Sequence, residues 1–270
     1  MGQFTRDAGR SKYRSTDDTD NKIQIKIEDK GNFNLSDEKT KLIALGSGDK
    51  IKKDLGDVFR EAKQMCSLAL AILGKPDALA NSKVKLAITQ CFRTDGTMTD
   101  EVCTEVAAVF RAIARGFNAP ITIKLSQLST PHYDQRGGVR WYKRQEDKSA
   151  LGREALIMQR SSIGIKYYSD IKIDMGYFVK SMNEDPDRAA RTLVHEASHR
   201  FAGMEDHCYM NDDGTSFSGV APSKEQCYEN ADSIAWFAMH LRTLARNCRP
   251  IASGSCIRHC WPPACCACRS

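Results

Sequence analysis

The sequence predicts an α+β domain in which two long N-terminal helices pack on a small twisted sheet. Two early segments repeat apolar residues at helical spacing, and shorter segments after them have the pattern of strands. A further helical segment near residue 190 has capping residues at both ends and carries two histidines four positions apart. With 270 residues, the chain is long enough for one large domain and additional terminal segments.

Composition divides the chain into three parts. Residues 1–50 are polar and rich in Asp, Lys, Ser and Gly, which predicts disorder, although Lys22–Ile27 alternates as a strand does. Residues 51–246 contain the predicted domain. Residues 247–270 form a basic tail that holds six of the eleven cysteines.

The first half of the domain is predicted to contain two helices and a strand. The apolar residues of Leu55–Leu73 share one helical face, and Gly74 ends this helix. Those of Thr99–Ala114 do the same, and Gly116 is predicted to end the second helix. Ile121–Leu125 alternates and is predicted to be a strand.

The next segment, Asp134–Arg153, is polar and contains Gly137 and Gly138, which predicts a long surface loop. Ile163–Tyr168 and Ile171–Phe178 then have the pattern of two strands or of one bent strand.

Charge and hydropathy limit the classes of function. No acidic residue follows Asp232, and five arginines lie after it, so the rest of the chain is nearly neutral although the formal net charge is +6. A nucleic-acid-binding surface is therefore not expected. The start lacks the apolar core of a signal peptide, and no segment has the length of a transmembrane helix, so we expect a cytoplasmic protein or one exported by a non-classical route.

The cysteines form a poor disulfide framework, because their number is odd and their spacing is clustered. From Cys256 the tail has the spacing C-x3-C-x4-C-C-x-C, which does not fit a zinc ribbon well. A disordered basic tail is the first interpretation. A second metal site or disulfide knot, and an acylated membrane anchor, are the alternatives.

Residues 185–203 have the features of one helix. Asp185 can cap its N-terminus, and Pro186 suits the first helical position. Gly203 suits the left-handed residue that follows a helix.

The histidines of this helix have the spacing of a metal site. His195 and His199 are four residues apart, so both rings project from the same side and can bind one zinc ion at about 2.0–2.1 Å. Glu196 lies beside the first ligand, where it can take a proton from zinc-bound water as general base. A catalytic zinc ion needs a third protein ligand, and four candidates follow the helix: Glu205, Asp206, His207 and Cys208. By ligand frequency alone, His207 is the default.

These motifs resemble the aspzincin metalloendopeptidases, which include the deuterolysins and the lysine-specific metalloendopeptidases. Their signature is HExxH followed by G-T-x-D-x-x-Y, and this chain has HEASH followed by G-M-E-D-H-C-Y at residues 203–209. Residues 230–233, Asn-Ala-Asp-Ser, lie on a helix predicted from about Lys224 to Ala245 and resemble the N-A-D-[SN] segment of the same family. Met204 and Met210 depart from the family's usual Thr and Gly.

The resemblance implies a zincin-like fold and a zinc-dependent endopeptidase that holds one Zn²⁺ ion and acts on a polypeptide substrate. It implies that Asp206 is the third ligand and that Tyr209 stabilises the oxyanion of the transition state. It further implies that Asp232 contributes to a substrate pocket for lysine, although Ala235 stands where lysine-specific members have a Glu. In this fold, an edge strand within Ile163–Phe178 is expected to border the cleft.

Other interpretations of the same residues remain open. Asp232 can equally be a solvated carboxylate or one that orients a metal ligand. A non-catalytic zinc-binding interaction module would use the histidines but has no need of Glu196. A DNA-associated metalloprotease with a zinc-ribbon tail is suggested by the basic tail, although the ribbon spacing does not fit.

Overall fold

The computed structural model describes residues 23–27, 48–126, 128, 135–139, 141–142, 157–161 and 164–247. These residues form a mixed α+β fold in which helices predominate. The described helices are α1 Gly48–Leu73, α2 Pro76–Leu79, α3 Ser82–Phe92, α4 Asp100–Asn118, α5 Met175–Glu184, α6 Pro186–Ala202, α7 Lys224–Glu229 and α8 Ala231–Asn247. The described strands are β1 Ile23–Ile27, β2 Ile121–Ser126, β3 Gly137–Gly138, β4 Trp141–Tyr142, β5 Ile157–Ser161, β6 Gly164–Tyr168 and β7 Ile171–Asp174.

The strands form two small sheets. The first has the order β1-β2-β7-β3, in which β1, β2 and β7 are parallel and β3 pairs antiparallel with β7 at one edge. The second has the order β4-β6-β5 and is antiparallel. All four residues of β7 are buried, as expected for a strand with neighbours on both sides.

Helix α6 lies at the centre of the helical layer, where it packs against α1, α4, α5 and α8. Twelve of its seventeen residues are buried, so this helix is enclosed on most sides. Aromatic rings fill the layer around it: Phe59 packs edge-on against Phe117, and Phe92 lies 5.2 Å from Phe237. A helix fixed on several sides holds its side chains in defined positions.

The ends of α6 agree with the sequence prediction. The Asp185 side chain accepts a hydrogen bond from the Asp187 amide, which satisfies one of the free amides of the first turn. Gly203 has φ 72° and donates to the carbonyl of His199, and Met204 donates to that of Ser198. The left-handed turn at Gly203 redirects the chain toward the segment that carries Asp206.

Two predicted elements are wrong in part, and α3 lies outside the predicted elements. The strand predicted over Ile171–Phe178 ends at Asp174, whose carboxylate caps α5 by accepting from the Tyr177 amide. The helix predicted over Lys224–Ala245 is divided into α7 and α8, because Asn230 has an extended backbone. Helix α3 was not predicted at all, and its N-terminus is capped by Asn81.

The predicted surface loop Asp134–Arg153 contains β3 and β4, so it is not free of regular structure. The predicted edge strand within Ile163–Phe178 is also wrong, since β6 and β7 each have a neighbour on both sides. The strands at the two edges of the first sheet are β1 and β3, and β3 is the one that lines the cleft.

The predicted terminal segments are described only in part. The strand predicted at Lys22–Ile27 is confirmed as β1, and α1 begins earlier than predicted, at Gly48. The rest of residues 1–50, and the tail after Asn247, lie outside the described residues.

The five cysteines that the structure describes are free; they are Cys66, Cys91, Cys103, Cys208 and Cys227. Among the described helices, none combines the length and the apolar character needed to cross a membrane.

Gly116 does not end α4, which continues to Asn118. A Cβ atom at Gly116 would lie 2.3 Å from the ring of Phe201 in the last turn of α6. The glycine therefore allows α4 and α6 to approach closely.

We expect Gly116→Ala to lower the free energy of unfolding by about 1–3 kcal/mol, because the added methyl group overlaps the Phe201 ring. Gly56→Ala is the matched control: it also lies within a helix, but its Cβ would contact nothing within 4 Å. This control should raise stability by up to about 1 kcal/mol. Urea unfolding of both variants measures the difference, and equal effects would contradict the close approach.

Candidate metal centre and cleft

Three side chains bring one donor atom each to a common point. The Nε2 atoms of His195 and His199 are 3.2 Å apart, and each lies 3.2 Å from Oδ1 of Asp206. Donors bound tetrahedrally at about 2.0–2.1 Å from a zinc-sized ion are separated by about 3.3–3.4 Å. Among the described residues, these three form a group that could hold a metal ion.

The opposite ring nitrogen of each histidine is also engaged. Nδ1 of His199 lies 2.6 Å from the carbonyl oxygen of Met204, and Nδ1 of His195 lies 3.3 Å from Oδ1 of Asp232. Both partners are acceptors, so each Nδ1 can donate a proton to its partner, which leaves each Nε2 as the nitrogen available to a metal ion. This is the tautomer that metal binding requires.

The segment that carries Asp206 is tied to the start of α8. The Glu205 amide donates to the carbonyl of Glu229, and the Ala231 amide donates to that of Glu205, both at 2.9 Å. The side-chain oxygen of Asn230 accepts from the His207 amide at 3.1 Å. The sequence indicates Asn230 only as part of a motif and predicts no role for it, because its partners lie more than twenty residues away.

His207, the default third ligand by frequency, does not join the group. Its Nε2 atom faces Glu229 at 3.9 Å, while its backbone is held by Asn230. The structure therefore places Asp206, and not His207, beside the two histidines.

The charges of the donor side chains shift one another's pKa values. Burial lowers the pKa of His195, but hydrogen bonds to Asp206 and Asp232 outweigh burial and raise the pKa to about 10. Burial alone would raise the pKa of Asp206, yet hydrogen bonds from the two histidines bring it below its ordinary value. The carboxylates thus favour positive charge at the histidines, and a metal cation can supply that charge in place of a proton.

Glu196 lies in the same cleft and is 5% exposed. A Cβ atom on Gly137 would lie 2.6 Å from Oε1 of Glu196, so the glycine backbone of β3 passes directly beside this carboxylate. Burial raises the pKa of Glu196 above its ordinary value, although His195 and His199 oppose the change. A carboxylate with raised proton affinity beside a metal site suits a general base.

Tyr209 lies over the first histidine. Its ring stacks on that of His195 with centroids 6.0 Å apart and planes 18° apart. The side chain is 51% exposed and lines the cleft. The phenol thus lies at the opening of the cleft, where it can contact a bound molecule.

Asp232 is 3% exposed, and both of its oxygens are engaged. Oδ1 lies 3.3 Å from Nδ1 of His195 and 3.2 Å from Nη1 of Arg191, and Oδ2 accepts from the Met210 amide at 2.6 Å. Of the three predicted roles, these contacts support orientation of His195 rather than a solvated carboxylate or direct contact with a lysine substrate.

The cleft that contains these groups has a volume of about 900 Å³, within the range of small-ligand and peptide sites. One wall is residues 135–139, which include β3, and the opposite wall is the segment 204–212. Helix α6 forms its floor. Arg136 and Asp212 form an ion pair of 2.9 Å between the two walls.

We expect the chain to bind one divalent metal ion through His195, His199 and Asp206. Replacing any of the three with Ala should abolish stoichiometric binding, because two remaining donors hold a metal ion weakly. His207→Ala is the matched control and should bind normally. Metal analysis after dialysis against a defined metal buffer measures the result, and loss of metal in the control with retention in Asp206→Ala would contradict the ligand set.

A scan against protein-family models and a search of curated proteins found no match to this chain.

Proposed function

We propose that the protein is a zinc-dependent endopeptidase with a zincin-like domain. The observation that carries the proposal is the triangle of donors formed by His195, His199 and Asp206, with the buried carboxylate of Glu196 in the same open cleft. Two imidazoles and one carboxylate are a donor set typical of catalytic zinc, whereas structural zinc sites are usually closed by four Cys and His ligands. The resemblance of residues 195–209 to the aspzincins supports the same conclusion.

Zinc bound here would polarise the scissile carbonyl and acidify the attacking water. Glu196 accepts the proton of that water and then returns it to the leaving amine. The backbone of Gly137 beside Glu196 leaves no room for a side chain, so this wall keeps the carboxylate in place and closes it from bulk solvent.

The substrate chain lies along β3 in an extended conformation. This strand is at the edge of the first sheet, so a peptide can pair with it as an added strand. Tyr209, above His195, then donates a hydrogen bond to the oxygen on which negative charge develops.

The two alternative functions have less support. A non-catalytic metal-binding module has no use for a buried carboxylate beside the metal ligands, and Glu196 occupies that position. The DNA-associated protease was suggested by the basic tail, which lies outside the described residues.

Glu196→Gln should retain zinc but lose turnover by a factor on the order of 10² or more, because the amide cannot accept the proton. Glu229→Gln is the matched control, since it makes the same change of charge outside the cleft. Turnover of a denatured protein substrate, with the products sequenced, measures both variants. A Glu196→Gln protein with near-normal rate would show that another group activates the water.

Tyr209→Phe should lower kcat by a factor on the order of 10²–10³, the usual effect of removing one oxyanion donor. Zinc affinity and KM should change little, because the hydrogen bond strengthens only in the transition state. Tyr228→Phe removes a phenol outside the cleft and should behave as the unmodified protein. An effect of Tyr209→Phe on KM alone would assign the phenol to ground-state binding instead.

A further inference from the structure

Arg191 is a buried cation in the wall of the cleft. It lies one turn before His195 on α6, and its side chain is only 6% exposed. Both Arg191 and its neighbour Thr192 line the cleft. The catalytic scheme above gives this arginine no role.

The guanidinium group is held in one orientation. It lies over the ring of Trp236 at 4.2 Å, and Nη1 lies 3.2 Å from Oδ1 of Asp232. Its Nε atom is buried without a hydrogen-bond partner among the described residues. A planar group fixed by stacking and by one ion pair loses little entropy when it binds a second acceptor.

Arg191 reduces the negative charge of the cleft beside the three donor side chains. Asp232, the carboxylate that the resemblance assigns to lysine binding, is already paired with Arg191. Position 235, where a second acid would be needed, is a buried alanine. Asp212, another carboxylate of the cleft, is paired with Arg136 at 2.9 Å. A lysine side chain would therefore find both of these aspartates already paired with an arginine.

We propose that Arg191 is a specificity-determining residue that selects a substrate carboxylate next to the scissile bond. The inference rests on the proposed peptidase function. Arg191 is one helical turn, about 5.4 Å, from the metal ligand His195, so it reaches the residue adjacent to the bond that is cleaved. A carboxylate matches the donor geometry of a guanidinium, and it is repelled less by Asp232 because Arg191 compensates that charge.

The carboxylate can come from an acidic side chain or from the end of the substrate chain. Four peptides that differ only at one position or at one end distinguish these two sources. Three have both ends blocked and carry Glu, Gln or Lys at a single variable position, and the fourth ends at that position with Gln and a free carboxyl group.

The zinc-loaded full chain is assayed with each peptide, the cleaved bonds are located by mass spectrometry, and kcat/KM is measured for the bond beside the variable position. We expect Glu to exceed Gln by about tenfold or more and Lys to be the poorest. A high rate for the fourth peptide alone would identify the terminal carboxylate as the ligand, which also supports the proposal. Equal rates for all peptides, or a preference for Lys, would overturn it.

Arg191→Gln should make kcat/KM equal for the Glu and Gln peptides, whatever its effect on the absolute rate. Arg188→Gln is the matched control, because it makes the same change at a half-buried arginine of α6 outside the cleft and should preserve the ratio. Arg191→Lys keeps the charge without the planar donor pair and should reduce the ratio; it decides the question if Arg191→Gln fails to fold. A folded Arg191→Gln protein with an unchanged ratio would overturn the proposal.

Loss of all cleavage and loss of selectivity alone have different meanings. If zinc-loaded protein cleaves none of the peptides and no denatured protein, the proposed function is wrong and this inference falls with it. If it cleaves them without a preference for carboxylates, only the role of Arg191 is wrong.

Discussion

The buried carboxylate of Asp232 is the contact on which the site depends. It joins α6, through Arg191 and His195, to the segment that follows Tyr209, through the Met210 amide. Asp232 itself belongs to the first turn of α8. One side chain therefore fixes the relative positions of the two helices and of the segment that carries the third donor. A buried carboxylate is tolerated here because every contact it makes is with a donor.

The same contact sets the tautomer and the orientation of the His195 ring. A hydrogen bond at Nδ1 fixes the tautomer of the ring, and thereby directs Nε2 toward Asp206. His199 obtains the same orientation from the carbonyl of Met204, directly after the glycine turn that ends α6. The two histidines thus use acceptors of different kinds, one directly after Gly203 and the other in the first turn of α8.

Burial of α6 limits which of its side chains can reach the cleft. A helix enclosed by α1, α4, α5 and α8 can present only one strip to solvent, and that strip contains the donors, Glu196 and Arg191. Glycines make the enclosure possible where the neighbours come closest: Gly116 against Phe201 on the core side and Gly137 against Glu196 on the cleft side. The positions of the polar groups follow from this packing.

Local patterns in the sequence determined much of the site. The spacing of His195 and His199, the cap at Asp185 and the turn at Gly203 depend on contacts within a few residues, so they could be predicted and the structure confirms them. The bounds of elements were less predictable where a side chain competes with the backbone, as at Asp174 and Asn230. Asp206 was chosen by resemblance to a family, because ligand frequency alone favoured His207.

Only the tertiary structure decided which distant groups meet. Gly137 was expected in a surface loop, yet it lies against Glu196, fifty-nine positions later in the chain. Arg191 and Asp232 are separated by 41 residues, and no local pattern indicates that they pair. Helical spacing and capping are short-range geometry that a sequence displays directly. The partner of a buried charge is set by how helices and sheet pack around it, and that packing depends on the whole chain at once.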